Sequence, residues 1–165
     1  MTKEQFIAQV EAIQKPLRRF LLALCCGDSQ QSDDIAQEAF IKAYLSCDTL
    51  SSPEKFNAWI FRIAYNSFLD AKRTLRHTVD YGEASALKSG ERADGAFQYQ
   101  DLYAALNRLP AKERTSVLLF YLQGYSIKEI AEIQTVSADA VKQHLSRGRN
   151  HLRALLNTDQ RHYGR

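Results

Sequence analysis

The chain has 165 residues, room for one medium domain or two small ones, and its 45% hydrophobic and 25% charged residues are ordinary for a soluble globular protein. A net charge of +3 excludes a histone-like polycation; no run of about 18 apolar residues offers a membrane-spanning helix, and Glu4 and Glu11, without a long apolar stretch, argue against a signal peptide. Three cysteines, Cys25, Cys26 and Cys47, lack metal-ligand spacing and read as buried thiols in a reducing cytoplasm.

Phe6, Val10, Ile13, Leu17, Phe20, Leu21 and Leu24 recur at helical spacing. Pro16 interrupts them, so the expectation is a short helix and then a second with Pro16 in its first turn. Gly27 ends it, and Asp28 or Ser29 can cap a helix over residues 30–46. There Ile35, Ala39 or Phe40, Ala43 and Tyr44 are expected inward, with Asp33, Asp34, Gln37, Glu38 and Lys42 outward. Acids early in a helix also suit its dipole without any partner. A loop over 48–52 leads to Ser52-Pro53, a helix start.

The helix expected over 54–75 carries two stripes. One is Phe56, Trp59 or Ile60, Ile63 and Ser67; the other is Phe61, Tyr65, Phe68 and Lys72. Arg62, Asn66, Lys72, Arg73 and Arg76 are interleaved with them. Aromatics beside cations suit single-stranded nucleic acid, where bases stack and the backbone meets charge. A central helix buried on two sides gives the same pattern, and the residues alone leave both readings open.

Residues 77–95 hold three glycines and little hydrophobicity, the composition of a flexible linker. Helical periodicity resumes over 97–109 with Leu102, Ala105, Leu106 and Leu109. Pro110 stops it and opens a helix over 111–123, with Gly124 as its left-handed end. Ser126-x-x-Glu129 is a capping box, followed by Ile127, Ile130, Ala131 and Ile133 as a short apolar stripe. Gln134-Thr135-Val136 is a turn, Ser137 a second cap, and a helix over 138–156 points Val141, Leu145, Leu152 and Leu155 or Leu156 inward. Its other faces carry Lys142, Gln143, His144, Ser146, Arg147, Arg149, Asn150, His151 and Arg153, with Asp139 the only acid. A solvated basic helix closing a bundle would look similar. The capped first helix, short turn and capped basic second helix together are the layout of a helix-turn-helix, whose second helix enters the DNA major groove.

Nothing reads as a strand, and nothing reads as a catalyst. His144 and His151 lie seven apart without a third ligand and are expected on the surface; there is no phosphate-binding glycine loop and no nucleophile elbow. The expected fold is all-α: a helical domain over 1–76, a linker over 77–96, and a helix-turn-helix domain over 97–165.

Several stretches resemble the small two-domain sigma factors of bacterial RNA polymerase, the extracytoplasmic-function group. Residues 34–44 (DIAQEAFIKAY) are similar to the family helix that docks on the polymerase largest subunit. Residues 56–66 (FNAWIFRIAYN), continued by Asp70 and Lys72-Arg73, resemble its promoter-melting helix. Leu106-Asn107-Arg108-Leu109-Pro110, Arg114, Gly124-Tyr125-Ser126, Glu129-Ile130-Ala131 and Val141-Lys142 resemble its C-terminal domain. The matches run in family order over most of the chain.

The resemblance implies that Asp34, Gln37 and Glu38 contact core polymerase. It implies that Trp59, Arg62, Tyr65, Asn66, Lys72 and Arg73, with the loop over 48–55, hold the melted −10 element, where an extruded base must be caught by stacking and edge contacts. Lys142, Gln143, Ser146, Arg147 and Arg149 would face the −35 element, with Lys142 and Arg147 nearest base edges or phosphates. The implied partners are core RNA polymerase, promoter DNA and an anti-sigma factor, in the cytoplasm, with no cofactor, metal, small-molecule substrate or membrane insertion. Four positions depart from the family pattern: Gln134-Thr135 where Leu-Gly is usual, Ala140 where Thr is usual, and Gly148 where Ala is usual. Without glycine the turn must avoid a left-handed residue or accept strain, and a mid-helix Gly costs roughly 1 kcal/mol. Two rival readings are a freestanding helix-turn-helix regulator, which leaves Asp34, Gln37 and Glu38 without a task, and a sigma-mimicking adaptor that only sequesters an anti-sigma factor, which has no need of Lys142, Arg147 and Arg149.

Overall fold

A computed structural model describes residues 1–79 and 100–163, with side chains over 1–76 and 100–157. The expected linker falls almost wholly outside the described residues, as do the side chains of His77 and His162. The described residues form helices and turns with no strand among them.

The first helix, α1 (Lys3–Leu24), starts on a capping box between Thr2 and Gln5 and runs unbroken through Pro16, against the expected interruption. Losing one backbone bond at proline costs about 3 kcal/mol. Ile13, Leu17, Phe20, Leu21 and Leu24 are all buried from this helix, each worth about 1.5–3 kcal/mol, so packing outweighs the break. Of the two candidate caps for α2 (Ser29–Ser46), Asp28 is used: its carboxylate accepts from the Gln31 N–H at 3.1 Å. Ile35, Ala36, Ala39 and Ala43 face inward. Tyr44 does not; it is 42% exposed, its ring meeting Phe6 edge-on at 5.8 Å. Two 3-10 turns (Cys47–Thr49 and Pro53–Lys55) lead into α3 (Phe56–Val79), which extends three residues into the segment expected as linker.

After the undescribed segment come α4 (Gln100–Asn107) and α5 (Ala111–Val117). The single helix expected to Gln123 instead changes pitch at Val117 into a π-helical turn, Leu118–Leu122. Gly124 sits at φ +76 with nothing within 4 Å of where a Cβ would lie, so backbone conformation alone selects glycine there. The last two helices, α6 (Ile127–Gln134) and α7 (Ala138–Tyr163), cross over a short turn.

The two helical groups, α1–α3 and α4–α7, are packed against each other. Their buried residues form one contiguous core. At the seam Phe61 of α3 meets the Tyr125 ring edge-on at 5.1 Å, and a Cβ on Gly27 would lie 3.0 Å from the Tyr103 ring. Gln123 donates to the Pro16 carbonyl at 3.1 Å.

Candidate nucleic-acid and polymerase surfaces

The helix-turn-helix is built locally as its sequence specifies. The Ser126 hydroxyl accepts from the Glu129 N–H and the Glu129 carboxylate accepts from the Ser126 N–H, each at 3.1 Å. Ser137 accepts from the Ala140 N–H at 3.0 Å and starts α7. The turn between them takes the strained option: Thr135 is left-handed, φ 57 and ψ 51, which costs a β-branched residue about 1–2 kcal/mol.

Gln134, buried where the family resemblance leads one to expect Leu, anchors that turn. Its Nε2 donates to the Lys112 carbonyl at 3.2 Å, and its Oε1 accepts from the Ser116 hydroxyl at 2.5 Å. Ser116 has then spent its one proton, so the His144 Nδ1, 3.3 Å away, must be the donor in that contact. His144 is therefore half-buried rather than a surface residue, and burial first, then the Lys112 charge, hold its imidazole below the usual value. His151 is exposed but its Nδ1 lies 2.7 Å from the buried Glu113 carboxylate.

On α7, Val141 and Leu145 are buried, while Lys142, Gln143, Ser146, Arg147 and Arg149 are all exposed. Arg149 is drawn to one flank, where its guanidinium donates to the Tyr121 hydroxyl at 3.1 Å. Gly148 fills a steric requirement. A Cβ there would come 2.7 Å from Val117 Cγ2, so the absent side chain lets α7 and α5 approach, a gain set against the helix cost.

The residues proposed for −10 recognition divide. Trp59, tilted on Phe56 at 5.9 Å, is half-buried, and Arg62, Asn66 and Arg73 are exposed along one ridge of α3. Arg73 pairs with Asp70 at 3.2 Å. Tyr65 is only 4% exposed. It lies with Phe61 and Phe68 in the second stripe, which is buried, so in this arrangement α3 is packed on two sides. The Tyr65 phenol is raised by burial, partly offset by a hydrogen bond with Gln134 across the seam. Lys72 is half-buried with its ammonium 5.0 Å from the Phe68 ring centre; burial lowers its pKa, and the nearby Arg114 charge adds to that.

Asp34, Gln37 and Glu38 are exposed on α2. Glu38 pairs with Lys42 at 2.7 Å, and Lys42 also lies 3.6 Å from Asp70. One and two turns further along the same face stand Ile41 and Leu45, exposed by 54% and 70%. An acidic head continued by an exposed apolar tail is the kind of surface that meets a protein. Helical periodicity does not single out Ile41 and Leu45, which fall outside the buried Ile35, Ala39 and Ala43 stripe.

Arg114 was named by resemblance alone, and its role is structural. It is buried, and among the described residues no carboxylate forms an ion pair with it. Its Nε donates to the Leu106 carbonyl at 2.8 Å, one Nη to Leu24 at 2.8 Å, and the other to Asn107 at 3.4 Å and Leu109 at 3.1 Å. A cation held by carbonyls at helix C-termini is favoured by the partial negative charge there. The Leu24 bond joins the two helical groups.

No disulfide joins Cys25, Cys26 and Cys47, and burial, with Asp28 next, pushes the Cys25 thiol up to about 12. No helix among the described residues is long and apolar enough to cross a membrane.

An all-helical chain that ends in a helix-turn-helix with an open basic face, preceded by an aromatic–cationic helix and an acidic helix, is the build of a transcription-initiation protein. Residues 9–78 match the Sigma-70 region 2 family and residues 99–152 the Sigma-70 region 4 family. The chain is 30% identical over 146 residues to the ECF RNA polymerase sigma factor EcfG of Rhodopseudomonas palustris, covering 87% of this chain and 80% of that one. It is 34% identical over 148 residues to the ECF RNA polymerase sigma factor SigW of Bacillus subtilis, covering 79% and 78%. It also superposes with a TM-score of 0.81 and 27% identity on the sigma factor RpoE, solved in complex with the anti-sigma factor NepR from Bartonella quintana, over 93% of this chain and 98% of that one. The chain belongs to the ECF group of RNA polymerase sigma factors.

Proposed function

We propose that this chain directs core RNA polymerase to a particular set of promoters, with three surfaces sharing the work. Asp34, Gln37 and Glu38, extended by Ile41 and Leu45, dock on polymerase; a carboxylate cluster suits a basic partner surface. The Trp59, Arg62, Asn66 and Arg73 ridge, with Tyr65 and Lys72 behind it, takes the melted −10 strand by stacking and charge. Lys142, Gln143, Ser146, Arg147 and Arg149 read the −35 element, Lys142 and Arg147 at base edges or adjacent phosphates. The chain does no chemistry of its own; the polymerase makes the bonds. It works in the cytoplasm, and an anti-sigma factor holds it inactive until induction.

The observation that carries this reading is the helix-turn-helix whose five proposed contact residues are all exposed on α7. Free in solution the chain binds DNA weakly, because each small site gains affinity only when polymerase holds both on one promoter. Transcription from fragmented genomic DNA with core polymerase tests this: promoter-dependent transcripts appear only when the chain is added. A specific shift of a promoter duplex by the chain without polymerase would favour the freestanding regulator instead.

A further inference from the structure

A row of hydrogen bonds beneath α7 decides what one of its side chains can offer to DNA; the consequence for promoters rests on the sigma-factor reading. The row starts at the Lys112 carbonyl of α5, which can only accept. Gln134 Nε2 donates to it at 3.2 Å, and this fixes the amide with Oε1 on its other side. That Oε1 accepts from the Ser116 hydroxyl at 2.5 Å. Ser116 has no second proton, so it meets the His144 Nδ1, 3.3 Å away, as an acceptor, and Nδ1 carries the hydrogen. Ser116 is fully buried and Gln134 is 7% exposed, so solvent has little part in the row. Gln134 stands where the family pattern has Leu, which makes the row a feature of this chain's own sequence.

A neutral imidazole carries one ring hydrogen. Burial, followed by the Lys112 charge, lowers the His144 pKa; the Arg147 charge acts in the same sense and the Glu113 charge opposes it. The ring is therefore neutral at physiological pH, and Nε2 keeps a bare lone pair. The two nitrogens flank Cε1 and point apart, so a ring with Nδ1 turned to buried Ser116 turns Nε2 away from it. No group among the described residues hydrogen-bonds Nε2. His144 lies in the first two turns of α7, three positions before Arg147 and so beside it on the helix surface. This is the end of a recognition helix that meets base edges. A lone pair gains nothing from a phosphate oxygen. In the major groove its partners are the amino groups of cytosine N4 and adenine N6, whereas guanine and thymine present acceptors there.

We propose that His144 is a specificity-determining residue of the −35 surface, reading a cytosine or adenine amino group through Nε2 as an acceptor. Gln134 and Ser116 are the positioning residues that hold it in that tautomer.

Two measurements on the whole chain test this. Heteronuclear proton–nitrogen spectra of the isotope-labelled chain, assigned with His144→Ala, report which ring nitrogen bears hydrogen. Nδ1 is expected protonated and Nε2 bare at neutral pH; the reverse overturns the proposal. Core polymerase with the chain then transcribes promoters in which each −35 position is varied through the four bases. One position is expected to favour cytosine or adenine about five-fold or more, and His144→Ala removes that preference while those set by Lys142 and Arg147 remain. An equal loss at every sequence, or no change at any position, overturns the proposal. Gln134→Leu frees the Ser116 proton for Nδ1 and moves the ring hydrogen to Nε2, so the preference at that position is expected to vanish or to pass to guanine or thymine. Ser116→Ala, a smaller change in the core, is expected to weaken the preference without reversing it, and serves if the leucine variant does not fold. A cytosine or adenine preference held at wild-type strength in either folded variant overturns the assignment of the row. Failure of the sigma reading is distinct: it shows as no promoter-dependent transcript from the wild type, while the spectra still report the His144 tautomer.

Discussion

α7 is packed along one stripe and α3 along two. The helices are similar in length, 26 and 24 residues, and each interleaves apolar positions with cations. α7 rests on α5, α6 and α4 from one side and leaves Lys142, Gln143, Ser146 and Arg147 open. α3 is covered by α1 and α2 on one side and by α6 on the other, and a ridge through Trp59, Arg62, Asn66 and Arg73 reaches solvent between them. The lesson is that an amphipathic pattern states which side chains can be buried, while the number of neighbours available decides how many are. A second apolar stripe is a site for a partner when nothing in the chain covers it, and part of the core when something does.

The largest effect is expected at the residue shared by the two groups. Arg114→Leu leaves the Leu24, Leu106, Asn107 and Leu109 carbonyls without their donor, and unsatisfied buried groups cost about 1–3 kcal/mol each without adding fully. A stability loss on the order of 3 kcal/mol or more is expected in urea unfolding, and it should lower the unfolding midpoint of α1–α3 and α4–α7 together. A loss confined to the C-terminal group would dissolve the shared-core half of the comparison.

On the open side of α7, Arg147→Ala should leave stability within about 0.5 kcal/mol and reduce discrimination for the preferred −35 sequence by about 1–3 kcal/mol, read from transcription on promoter variants. A uniform loss over all sequences would make Arg147 a phosphate contact. On its packed side, Gly148→Ala drives a Cβ into Val117. Overpacking costs about 1–3 kcal/mol against a helix-propensity gain near 1, for a net destabilisation of up to about 2 kcal/mol in thermal or urea unfolding. Val117→Ala in the same chain should recover part of it, and strict additivity of the two would show that the helices do not meet there.

The smallest effect is a pH dependence. Burial holds the His144 imidazole below its ordinary value of 6.5, so the folded state takes up that proton less readily than the unfolded chain. This contribution is absent above the unfolded value and stability falls as pH drops through it. Comparing urea midpoints at neutral and mildly acidic pH, His144→Gln should reduce the acid-side decline; an unchanged decline would assign it to other groups.

Much of the local build was legible in the residues: the Ser126–Glu129 capping box, the Asp28 and Ser137 caps, left-handed Gly124 and the inward Val141 and Leu145 all follow from short-range chemistry. Pro16 inside α1, the π-helical turn after Val117, and outward Tyr44 were not, because each is settled by packing between elements far apart in sequence. The basic surface of α7 was legible for the same reason that it is functional, since no neighbour covers it.

Sequence alone determined most of the helices, their caps and the charge of each face, because those rest on interactions spanning three or four residues. Tertiary structure decided the burial of Tyr65, the role of Gln134 as an anchor, the need for Gly148 and the capture of Arg114 by carbonyls from two helices. Those depend on which surfaces meet across 18 to 90 positions of chain, and no local pattern encodes that distance.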